Sequence, residues 1–91
     1  MAKTDAEYHH ECMNRFIDLA NAMKDESIAP KIVLSAIMRA SAVYAMYVSG
    51  GNETGLTPSG IDKVTAAYKL HLEQVLQAKK EQAAQAEKSS D

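Results

Sequence analysis

The chain has 91 residues, 46% of them hydrophobic, one cysteine and a formal net charge of −2. That length holds one domain at most. The ten Lys and Arg residues are scattered, with no run longer than Lys79-Lys80, which leaves nucleic-acid binding unsupported, and a lone cysteine excludes an intrachain disulfide.

A chain without disulfide staples suits a reducing compartment. Its polar start, Met-Ala-Lys-Thr-Asp-Ala-Glu, lacks the apolar core of a signal peptide. The expected location is therefore the cytoplasm. Two prolines, four glycines and no β-rich alternation leave no sign of a sheet, so the expected class is all-α.

Thr4-Asp5-Ala6-Glu7 places a hydroxyl and a carboxylate three residues apart, the signature of a capping box. It predicts a first helix over 5–24. Tyr8, Cys12, Phe16, Leu19 and Met23 form its apolar line, flanked by His9, Met13 and Ala20. Glu11, Asn14, Asp18, Asn21 and Asp25 lie opposite. Lys24-Asp25-Glu26-Ser27 is a polar break. Pro30 suits the first turn of a second helix, where its missing N–H is no loss. Gly50-Gly51 is a stop, because glycine adopts the left-handed conformation past a helix end cheaply.

The second helix, expected over 30–49, organises the rest. Lys31, Ser35, Arg39 and Ser49 share one narrow strip, with Ala42 and Met46 between them. The remaining arc, roughly three quarters of the circumference, is apolar, well beyond the stripe of an ordinary surface helix. Such a helix is expected to be buried on several sides. A membrane span needs ~20 apolar residues, whereas this run is shorter and carries Arg39 near its middle; no membrane partner is expected. Ala36, Ala40, Ser41 and Ala45 are spaced for close helix packing.

Residues 50–59 read as a loop, long for a helix–helix connection, from which Leu56 can fold back. Thr57-Pro58 supplies an N-cap and a first-turn proline, with Ser59 as a competing cap. The third helix is expected over 58–78, with an apolar line of Ile61, Val64, Tyr68, Leu72 and Val75. The next positions on that face are Lys79 and Gln82, so the core should end near Ala78. Residues 79–91 favour helix but offer nothing to bury, which predicts a polar helical extension or a mobile tail. Residues 1–78 then form a single helical domain, a three-helix antiparallel bundle.

Two helices with one stripe each cover only part of the second helix. Monomers rarely expose large contiguous apolar patches, and a symmetric dimer is the commonest remedy. The expected assembly is a homodimer with Ile37, Ala40, Tyr44 and Val48 at the interface.

Candidate chemistry is sparse. His9 and Cys12 are three residues apart, as are Glu7 and His10, but a zinc site needs three or four ligands and a helical di-iron site needs two Glu-x-x-His copies. The plain reading is a core-edge histidine beside an exposed one; a metal or redox site built from His9, Cys12 and His71 is an alternative. No metal or cofactor is expected. Cys12 in the apolar line reads as a small core residue. Arg39 reads as an ion-pair partner for Asp18, Asp62 or Glu73 whose stem covers apolar surface. With Tyr44 and Tyr47 it could also line a small-molecule pocket. No pair of groups is placed for acid–base or nucleophilic work, so no enzyme is expected.

Phe16-Ile17-Asp18-Leu19-Ala20-Asn21, followed by Arg39-Ala40-Ser41-Ala42-Val43-Tyr44-Ala45, resembles a family of short bacterial proteins of unknown function. These pair a Phe-x-Asp/Glu-Leu-Ala-Asn element with an Ala-rich, aromatic-bearing second helix. Ala66-Ala67-Tyr68-Lys69 matches their third segment more loosely. The likeness covers about half of the chain, while the 50–59 loop and charged tail depart from the pattern. It implies a bacterial cytoplasmic protein and transfers no catalytic residue. The expected function is non-catalytic, acting through self-association and the binding of another protein.

Overall fold

In the computed structural model, residues 2–48 and 56–89 are described. The expected stop at Gly50-Gly51, Ser49 and most of the 50–59 loop lie outside these residues. The fold is all-α, with the order α1 (Asp5–Asp25), α2 (Pro30–Val48) and α3 (Pro58–Ser89), and no strand among the described residues. The chain divides into two compact units, Met1–Tyr44 and Ala45–Asp91.

In the first unit, α1 starts on the expected capping box. The Glu7 N–H donates to Thr4 Oγ1 at 3.1 Å, and the Thr4 N–H donates to Glu7 Oε1 at 3.1 Å. Two of the helix's orphan donors are thereby satisfied. The other end is a Schellman motif. The Ser27 N–H donates to the Lys24 carbonyl at 3.0 Å, and the Ile28 N–H to the Met23 carbonyl at 3.4 Å. Ser27 takes the left-handed conformation this motif requires, at φ 70°. Met23 and Ile28, the residues whose apolar contact accompanies that motif, are both half-buried.

α2 begins at Pro30, as its pre-set φ favours. The Ala29 carbonyl accepts from the Ile32 and Val33 N–H groups at 2.9 and 3.2 Å. Alanine brings no side-chain oxygen to this start. Cover in the unit is confined to the corner between the two helices. Val33 is 6% exposed, the one buried residue among those described, and Ala20, Met23 and Ile28 are half-buried. Away from the corner the α1 line expected as core is open: Tyr8, Cys12, Phe16 and Leu19 are all exposed. The periodicity located the apolar face, but no element within this unit lies over it.

In the second unit, the Leu56 N–H donates to Met46 Sδ at 3.3 Å, and Leu56 is half-buried. Leu56 does fold back, onto the last turn of α2 and the first turn of α3. A Cβ on Gly60 would lie 3.0 Å from Leu56 Cδ2, so the absent side chain makes room for it. Thr57 is the cap that forms, its Oγ1 accepting from the Gly60 N–H at 3.1 Å while its carbonyl accepts from the Ile61 N–H at 2.9 Å. Ser59 instead pairs its hydroxyl with Thr57 Oγ1 at 3.2 Å. α3 then runs 32 residues without a break through the polar segment expected as extension or tail. Gln77 donates to Glu81 across one turn at 3.3 Å. The α3 line Ile61, Val64, Tyr68, Leu72 and Val75 is exposed throughout.

Candidate functional site

A polar surface with several side-chain interactions lies at the start of α1. The Lys3 ammonium pairs with the Glu11 carboxylate and sits 5.7 Å from the centre of the Tyr8 ring. Lys3, Ala6, Glu7, His10 and Glu11 line a shallow concavity of about 450 Å³ there. Both carboxylates are already engaged, Glu7 by the cap and Glu11 by Lys3. The hydrogen bond from the Thr4 backbone, with a second from its hydroxyl, holds Glu7 below the usual carboxylate range. The place is a capped and braced helix start. The Lys3 brace is not legible in the sequence, since a long lysine reaching eight residues along the chain has no periodic signature.

The alternative metal set draws on both units. His9 and Cys12 stand one turn apart on α1, and Cys12 is exposed. His71 belongs to α3 in the other unit. Among the described residues no three of His, Cys, Asp and Glu come together as a metal-binding group.

Arg39, Tyr44 and Tyr47 all project from α2. At 100° per residue, Arg39 and Tyr44 lie about 140° apart around the helix. A pocket using both must take its remaining walls from another element. Tyr47 is 85% exposed. Arg39 makes no salt bridge among the described residues, so the expected pairing with Asp18 in its own unit is not formed.

The four expected interface residues behave as one feature. Val33, Ile37, Ala40, Tyr44 and Val48 follow one another in steps of four, three, four and four, tracing a single line along α2. The line starts buried at Val33 and opens steadily: Ile37 is 43% exposed, Tyr44 63% and Val48 69%. On α1, the apolar line likewise runs from half-buried Met23 to Phe16 at 68% exposed. Each line is thus covered only beside the corner.

α2 is also the one helix among those described that is long and apolar enough to cross a membrane, with mean hydropathy 1.3 over 18 residues, 6% of them buried. The helix therefore reaches the lower range of spanning length. Lys31 and Arg39 are its two charges. No protein-family model, no curated protein and no solved structure matches this chain.

Proposed function

We propose that this protein works by association: a non-catalytic helical protein whose apolar lines are covered by a second copy, and which binds another protein through the surface the pair presents. The observation that supports it is the exposure of an apolar line on every helix, with Val33 the one buried residue among those described. The finer arrangement proposed is antiparallel and bundle-like, with the α3 line closing over the α1 and α2 lines and α2 near the two-fold axis. A cytoplasmic setting goes with it, since the assembly then supplies the cover.

Magnitudes decide how much of the chain the assembly must use. Burying the exposed halves of Ile37, Tyr44 and Val48 gains about 1–1.5 kcal/mol each, or about 6–9 kcal/mol over two copies. Association costs on the order of 4–15 kcal/mol before any such gain shows. The α2 line alone is therefore marginal. The lines of α1 or α3 must enter the same interface.

The test is absolute mass by light scattering behind a sizing column, across a hundredfold dilution. The expected result is a mass near twice 9.9 kDa that persists on dilution and falls to one chain in Tyr44→Glu with Ile37→Asp. A wild-type chain that is folded and monomeric overturns the proposal.

The hydropathy of α2 favours one second reading, a membrane-spanning helix. It places Arg39 near the middle of the hydrocarbon, where a charge costs about 2.5–3.5 kcal/mol even on insertion scales. Flotation with neutral lipid vesicles separates the two: association predicts protein left at the bottom of the gradient, and the membrane reading predicts protein that floats.

A further inference from the structure

We draw no further inference here: the strongest candidate, the open apolar line of α2 beyond the α1–α2 corner, belongs to the surface already described under the proposed function, and nothing in the structure shows what covers it.

Discussion

Thr4 and Glu7 show how far single residues can be read from sequence, and Ser27 shows where that reading stops. The capping box is a local chemical pattern, so its hydroxyl and carboxylate announce themselves by spacing alone. Replacing Thr4 with Ala should cost about 1 kcal/mol of stability, the usual worth of such a cap, visible as lost amide protection in the first turn of α1. Glu7 adds a pH dependence of definite sign. Its folded-state carboxyl is held below the ordinary value of 4.5 by the Thr4 backbone and hydroxyl. Its contribution is therefore complete above pH 4.5 and is lost as pH falls through the lower, folded value. Carboxyl titration by NMR should show Glu7 more acidic in the wild type than in the Thr4→Ala variant, which keeps the Thr4 backbone N–H and loses only the hydroxyl; equal titration would remove the hydroxyl's share of the capping account. Ser27 carries the opposite lesson. A left-handed C′ residue is usually glycine, and a serine there gives no signal, so the break after α1 was legible and its geometry was not. An L-residue pays about 1–2 kcal/mol in that conformation, while glycine loses more freedom on folding. Ser27→Gly should thus gain about 0.5–1 kcal/mol in urea denaturation, whereas Ser27→Val should destabilise.

Helix starts and the length of α3 belong to the scale of the element. All three helices start where the chain offers Thr or Pro, because Pro at the first position and a hydroxyl before it satisfy or remove orphan donors. Only α2 starts on a residue with no side-chain acceptor, Ala29. Ala29→Asp supplies a side-chain acceptor to the first-turn N–H groups and a negative charge at the positive end of the helix dipole. It should stabilise by about 1 kcal/mol in the same denaturation assay; a neutral result would mean that α2 gains nothing from its start. At the other extreme, α3 continues to Ser89 although its apolar line ends near Ala78. Propensity explains this: Ala, Gln, Lys and Glu dominate 79–88, and each is a strong helix former. Propensity and burial are separate signals, and only burial ends the core near Ala78. Truncation after Ala78 should remove helical ellipticity in proportion to the residues lost. It should change unfolding free energy by less than about 0.5 kcal/mol, as exposed substitutions do. A larger loss would place the extension inside the assembly.

At the scale of the whole molecule, periodicity reports which face of a helix is apolar but not what that face meets. Tyr8, Phe16, Ile37, Tyr44, Val64 and Val75 were all legible as one-sided, and every one of them is exposed. An identical pattern serves a core, a subunit interface and a partner groove, since each removes the same surface from water. Stability distinguishes them. A chain that completes its own core unfolds at a temperature independent of its concentration. A chain that folds by pairing unfolds from dimer to two monomers, so each tenfold rise in concentration adds about 1.4 kcal/mol to the folded side. For a unit of two such chains that corresponds to about 3–5 °C in Tm per decade. We expect this slope in wild type between micromolar and hundred-micromolar chain. Tyr44→Glu with Ile37→Asp places two carboxylates on the α2 line, where burial would leave them unpaired. That variant should lose the slope and most of its helical signal together, because in it the helices have lost their cover and not their propensity. Retained helicity with a flat, high Tm in both proteins would mean that the chain covers its own lines, and the association reading would fall with it.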